Sequence, residues 1–263
     1  MKQYKVAIIG NGMICNAAHI PAYKAMGDKV KIVAVADIRE EAAKETAERH
    51  GIPKYYVDPY KMLEEEKPDI ISVCTPNAYH KEYTLAGFRA GCHVVCEKPV
   101  AVTCADAEEM FNAAEKAGKH LFVIQSLRFT GNFKAAAGLA KSGCLGDIYY
   151  ADLNLVRRRG VPRWGMFHMA KENVGGAFCD LGVHMCDYLM SISGNPKMVS
   201  VSGSAVTRIV NKEKNIEFSN AESGAPTGLF TPRKFDMKEF DVEEFANGYI
   251  RLENGMTVTF KIS

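Results

Sequence analysis

The chain has 263 residues, 47% of them hydrophobic and 24% charged, with a formal net charge of +2. That length and composition describe a soluble globular protein of about two domains. A charge so near neutral removes the electrostatic case for a nucleic-acid or anionic-membrane partner. Met1-Lys2-Gln3 leads straight into a strand pattern too short for a signal-peptide core, and no stretch approaches membrane-spanning length. The eight cysteines include no Cys-x-x-Cys pair, and most lie inside apolar runs, where a free thiol behaves as a small hydrophobe. The expectation is a reducing cytoplasm, with no disulfides and no metal site.

The first half alternates two patterns. Short runs apolar on both faces occur at Tyr4–Ile9, Val30–Ala36, Asp69–Cys74, His93–Cys96 and Leu121–Gln125, as buried parallel strands require. Helical patterns lie between them. Glu40–His50 stops at Gly51, Asp58-Pro59 reads as a cap with proline at the first helical position, and Thr103 with Asp106 resembles a capping box whose helix runs to Gly118. This alternation predicts an α/β unit over residues 1–125, a doubly wound parallel sheet with helices on both faces.

Gly10-Asn11-Gly12-Met13-Ile14-Cys15 follows the first strand and opens a helix. Gly10 permits the tight turn, and Gly12 lets backbone amides of the Met13-Ile14 turn approach a pyrophosphate at the helix N-terminus. Cys15 stands where a third glycine would ease helix–strand packing. Asp37 ends the second strand 22 residues beyond Cys15, where an acidic group grips a ribose diol. Its charge would repel a 2′-phosphate, so NAD is favoured over NADP, with Arg39 softening the preference. Further on, the run His93-Val94-Val95-Cys96 ends in Glu97-Lys98-Pro99, placing two charges where such a sheet has its ligand crevice. Pro99 fixes the chain direction there, in the kind of bond that can be cis.

After about Gln125 the rhythm changes. Phe129–Lys141 reads as a helix, Asp147–Arg158 as a long strand, Asp180–Ser193 as a helix stopped by Gly194 and Pro196, and Val199–Val210 as a strand. Residues 211–240 are polar and irregular. Phe245–Glu253 and Met256–Ile262 flank Asn254-Gly255, a strong hairpin signal. The second unit, residues 126–263, is therefore expected to be α+β with a large, mostly antiparallel open sheet. A strand-like run ending at Ser263 leaves an open edge, which favours a truncated polypeptide over an edge covered by another subunit. Within this half, Asp180 and His184 lie four apart, with Asp187 extending the stripe. An isolated amphipathic helix would present these as a solvated face, but Gly175-Gly176 lets the backbone come close to something just before the helix.

Gly10-x-Gly12, Cys74-Thr75-Pro76-Asn77 with His80, Glu97-Lys98-Pro99 and Asp180-x-x-x-His184, in this order, resemble the Gfo/Idh/MocA oxidoreductases. The resemblance covers the whole chain. It implies a Rossmann domain followed by an open-sheet domain that commonly builds homodimers or homotetramers. It makes Lys98 and His184 the central catalytic pair with Asp180 beside them, and places Thr75, Pro76, Asn77, His80 and Glu97 along the cofactor cleft. The implied activity is an NAD(P)-dependent dehydrogenase acting on a CH–OH group of a sugar, cyclic polyol or sugar derivative. The alternatives are an NAD-dependent glycosidase that oxidises its sugar transiently and a non-catalytic NAD(P)- or sugar-binding sensor. A histidine has the proton affinity to accept the hydroxyl proton, and a lysine can stabilise the developing alkoxide; which of the two is the formal base stays open. Gln125, toward the cofactor, and Arg128, toward substrate, leave the last Rossmann strand near the cleft. Arg157 and Arg159 point the same way at a strand end, and Trp164, with His168 nearby, could stack on a sugar ring.

Overall fold

In the computed structural model, which describes residues 2–157, 162–208, 210 and 227–263, the first apolar run is β1 (Tyr4–Ile9). Its side chains alternate between two cores, as the period of two dictates. Ala7 and Ile9 pack with Ile71, Val73, Met62, Phe88 and Met110, while Val6 and Ile8 pack with Val35, Cys15, Ile20, Tyr23 and Ala47. From Val6 to Ile9 both faces are buried and every residue is apolar, which makes that end of the strand readable.

The chain then runs through a π-helical turn, Cys15–His19, that continues as α1 (Ile20–Ala25). There follow β2 (Val30–Ala36), α2 (Glu40–His50), β3 (Tyr55–Tyr56), α3 (Pro59–Glu66), β4 (Ile70–Val73), α4 (His80–Arg89), β5 (His93–Cys96), α5 (Cys104–Lys116) and β6 (Leu121–Val123). The caps form as read. The Asp58 carboxylate accepts from Tyr60 N at 2.8 Å, Thr103 Oγ1 accepts from Asp106 N at 3.1 Å, and Gly51 closes α2 with φ +65°. The two-residue β3 and the helix α4 have no counterpart in the sequence patterns. All six strands are parallel in the order β3-β2-β1-β4-β5-β6. The order reverses between β1 and β4, so the ligand crevice belongs at the carboxyl ends of those two strands.

The second half contains α6 (Gly131–Lys141), β7 (Tyr150–Leu155), α7 (Ala170–Asn173), a second π turn (Phe178–Gly182) running into α8 (Val183–Ser193), β8 (Met198–Val206), β9 (Phe245–Leu252) and β10 (Thr257–Ile262). A four-stranded sheet in the order β7-β10-β9-β8 packs one face on α8 through Ile250, Leu252, Val258 and Phe260 against Leu181, Leu189, Phe178 and Met185. Tyr150, Met198, Val199, Val201 and Tyr249 are exposed. Two of the three pairings are antiparallel and β7 runs parallel to β10, so the sheet is mixed. The expected long strand is paired only over Tyr150–Leu155, and of the expected irregular stretch residues 211–226 lie outside the described residues. The hairpin turns at Gly255, φ +83°. Among the described residues, no helix is long and apolar enough to cross a membrane.

Candidate active site

The loop after β1 shows two glycines with different tasks. Gly10 has φ +91°, and a Cβ there would lie 2.6 Å from the carbonyl carbon and oxygen of Cys74, so the loop rests directly on the turn after β4. A Cβ on Gly12 would meet nothing within 4 Å; it faces open space at the start of the helix. Cys15, in the third-glycine position, is fully buried, and burial pushes its thiol up to about 12. The wide π turn that begins at Cys15 gives its sulfur the room that a close-packed α turn would deny. Asp37 sits at the end of β2 with Oδ2 accepting from Asn11 N at 2.8 Å and Oδ1 from Arg39 N at 2.9 Å. Arg39 Nε is 3.8 Å from the same carboxylate. A carboxylate oxygen holds two acceptor sites, so Asp37 keeps capacity for a ribose hydroxyl. An open Gly12, helix amides and Asp37 on one cavity fit a dinucleotide.

At the end of β5, Glu97 is buried. His19 Nε2 donates to its Oε1 at 2.9 Å, and Lys98 N donates to its Oε2 at 3.2 Å. The Lys98-Pro99 peptide is cis. His80, fully buried, places its ring nitrogens 2.7 Å from Pro99 O and 2.9 Å from Thr75 O, tying the two turns together; burial pushes its imidazole below the ordinary histidine value. Lys98 Nζ donates to Asp180 Oδ1 at 2.7 Å and to Asp180 O at 3.0 Å. An ammonium with three donors thus spends two on one residue of the second half of the chain.

Asp180 and His184 are held by what precedes them. The partner that Gly175-Gly176 approaches is Glu243, just before β9. Gly176 N and Phe178 N donate to its two carboxylate oxygens at 2.8 and 3.0 Å, and Ala177 N donates to its carbonyl at 3.1 Å. Any side chain on Gly176 would collide with that carbonyl. His184 lies half-buried on the same cavity, its Nδ1 buried without a hydrogen-bond partner. Burial, then the Lys98 ammonium, pushes its imidazole below the ordinary value, and Asp180, Glu97 and Asp187 pull the other way. Asp187 leaves the stripe, accepting from Arg128 Nε and Nη2 at 2.6 Å each.

One cavity of about 990 Å³ is lined by Gly10, Gly12, Met13, Ile14, Asp37, Arg39, Thr75, Pro76, Asn77, Glu97, Lys98, Asp180, His184, Arg157 and Trp164. Other predicted residues lie elsewhere. Arg128 is engaged with Asp187, and Gln125 has a buried, unpartnered Oε1 off the lining. His80 stands behind the Thr75 turn. His168 is buried against Phe235, with Nε2 3.6 Å from Glu239. Arg159 lies outside the described residues. The cavity also draws on Glu172, Asn173 and Arg233, which the sequence reading does not name. Asn77 Nδ2 donates to Asn173 O at 2.9 Å, closing the second half of the chain onto the first. Glu172-Asn173, one residue before the glycine pair, was a usable signal; Arg233, in an irregular polar stretch, had none. Among the described residues no group of three or more His, Cys, Asp or Glu side chains is placed to hold a metal ion.

A family model described as "Oxidoreductase family, NAD-binding Rossmann fold" matches residues 4–125, and one described as "GFO/IDH/MocA C-terminal domain" matches residues 133–263. D-glucoside 3-dehydrogenase of Escherichia coli is 36% identical over 251 residues, covering 95% of this chain and 67% of that protein. Myo-inositol 2-dehydrogenase of Thermotoga maritima is 30% identical over 190 residues, covering 72% of this chain and 55% of its own length. Among solved structures, an aldose–aldose oxidoreductase from Caulobacter crescentus complexed with glycerol superposes with a TM-score of 0.77 at 25% identity, covering 100% of this chain and 71% of that one.

Proposed function

We propose that this chain, which belongs to the Gfo/Idh/MocA oxidoreductase family, carries the catalytic site of an NAD-dependent dehydrogenase that oxidises a ring hydroxyl of a sugar, glycoside or cyclic polyol. The observation that carries the reading is the meeting of Lys98, from the turn after β5, with Asp180 and His184, from the helix of the second half, on the cavity that also holds the Gly10–Gly12 loop. The nicotinamide, when bound, supplies the hydride acceptor. The residues supply the rest. His184, kept neutral by burial and by Lys98, accepts the hydroxyl proton. Lys98, ion-paired with Asp180, aims its remaining N–H at the oxygen and stabilises the developing alkoxide. Asp180 acts by orienting the ammonium.

Gly10, Gly12, Met13, Ile14, Asp37, Arg39, Thr75, Pro76, Asn77 and Glu97 would hold the cofactor, with His80 and Gln125 supporting its cleft. Asp37 favours NAD over NADP. Arg157 and Trp164 face substrate, with Arg233 beside them. The same reading divides the chain into a cofactor domain, residues 1–125, and a substrate domain, residues 126–263. It places the protein in the cytoplasm, which its eight free thiols suit. It also assigns the exposed sheet face bearing Tyr150 and Tyr249 to a homodimer or homotetramer, checked by light scattering on the eluting protein. The activity test is NADH formation across D-glucosides, free aldoses and inositols, with NADP as the competing cofactor. Lys98→Ala and His184→Ala each lower turnover by about 100-fold or more while NADH still binds. Full activity in both variants would overturn the assignment.

A further inference from the structure

The helix bearing Asp180 and His184 begins with N–H groups that its own turns cannot satisfy. Glu243 takes three of them, Gly176 and Phe178 on its carboxylate and Ala177 on its carbonyl. Bonds to an ionised carboxylate are short and directional, so three successive contacts to one residue set the rotation of the helix as well as its position. Glu243 is itself anchored to the second sheet. Val242 O accepts from Thr207 Oγ1 at 2.7 Å, Glu244 N donates to Val206 O at 3.1 Å, and Ala246 is buried in β9. A continuous line thus runs from that sheet through Glu243 and the π turn to Asp180, and from Asp180 to Lys98 Nζ.

We propose that Glu243 is a positioning residue for the reaction, acting through Asp180 to hold Lys98 and His184 in register across the two halves of the chain. The proposal rests on the reading of Lys98, Asp180 and His184 given above. The charged groups around His184 are Lys98, Asp180, Glu97 and Asp187, and Asp187 is already paired with Arg128. If Glu243 lets go, the turn it caps is released, Asp180 in that turn moves relative to His184 in α8, and His184 loses an influence that raises its proton affinity.

The test uses the full chain with Glu243→Gln, which leaves one strong acceptor oxygen in place of two, and Glu243→Asp, which withdraws the carboxylate by one methylene. The titration of His184 is followed by histidine-selective NMR, alongside kcat, KM, NADH affinity and the thermal midpoint. The expected result is a His184 midpoint moved to lower pH and a kcat reduced by about 10-fold or more, with NADH affinity within about twofold. Glu243→Asp lies between the wild type and Glu243→Gln, and carries the same readouts if Glu243→Gln does not fold. In an Asp180→Asn background, Glu243→Gln leaves the His184 midpoint where Asp180→Asn put it. A folded Glu243→Gln with wild-type His184 titration and kcat, and only a lower thermal midpoint, would overturn the proposal and leave Glu243 a helix cap. The titration needs no turnover. A chain that oxidises nothing in the panel yet shows the shift would refute the dehydrogenase reading and keep the Glu243 linkage.

Discussion

Replacing Gly10 and Gly12 one at a time by alanine separates the two tasks of the loop. At Gly10 the new Cβ must occupy φ +91° and sit 2.6 Å from the Cys74 carbonyl and 2.8 Å from Thr75 N. The left-handed backbone costs an L-residue about 1–2 kcal/mol, and overpacking against main chain that cannot step aside adds about 1–3 kcal/mol. A mid-range loss of about 3 kcal/mol lowers the thermal midpoint of a chain this size by about 6–12 °C, at roughly 2–4 °C per kcal/mol. At Gly12 the Cβ meets nothing within 4 Å, so Gly12→Ala keeps the wild-type midpoint within a degree or two. It does fill the space through which a pyrophosphate reaches the helix amides, and NADH affinity falls by about 10-fold or more, about 1.4 kcal/mol. Differential scanning fluorimetry with and without NADH reads both effects. Wild-type NADH affinity in Gly12→Ala would remove the loop from the cofactor site, and a wild-type midpoint in Gly10→Ala would contradict the contact with the β4 turn.

Three further outcomes are expected. His80, His93, His168 and His184 are all pushed below the ordinary histidine value of 6.5, by burial first. The unfolded chain therefore binds more protons near that pH, stability is full above it and is lost as pH falls through it toward the lower folded values. The thermal midpoint at about pH 5 is lower than at about pH 7.5, and a midpoint flat across that window would refute the burial of these rings. Asp37→Ser removes the charge that opposes a 2′-phosphate and frees Arg39, so the NADP-to-NAD ratio of kcat/KM rises by about 10-fold or more; an unchanged ratio would detach Asp37 from cofactor choice. Arg128→Ala breaks a pair whose arginine is 45% exposed, which is worth at most about 1 kcal/mol, and leaves the substrate KM unchanged. A large rise in KM would return Arg128 to the substrate site.

What could be read from the sequence follows from what the local pattern encodes. β1 and β2 match their apolar runs because the last four residues of each are buried on both faces, and β5 because Val94 and Cys96 are fully buried beneath half-buried His93 and Val95. Lys98 and the Asp180–His184 pair stood out because charge at a buried strand end, and polar residues behind a glycine pair, contradict their surroundings. The parallel pairing of β7 with β10 was not legible, since side-chain alternation is the same for either strand direction. Arg128 was placed near the cleft by chain position, but the bidentate demand of Asp187, 59 residues away, takes it. Glu243 contacts Gly176 across 67 residues, and nothing beside it in the chain marks that partnership.

The two π turns, Cys15–His19 and Phe178–Gly182, make helix length a phase variable. An α-helix turns about 100° per residue, and a π turn holds one residue more than its α counterpart. Deleting a single residue inside Phe178–Gly182 would only close that turn as α-helix and leave His184 near its present angle, whereas deleting Val183, at the start of α8, would rotate His184 by about that angle relative to Glu243 and the glycine pair. The helix would survive and its angular address would not. The loops before Lys98 and after α8 tolerate length changes without this consequence, because a loop carries no rotation forward. In this fold the geometry of the candidate site is written in residue count along its helices as much as in residue type.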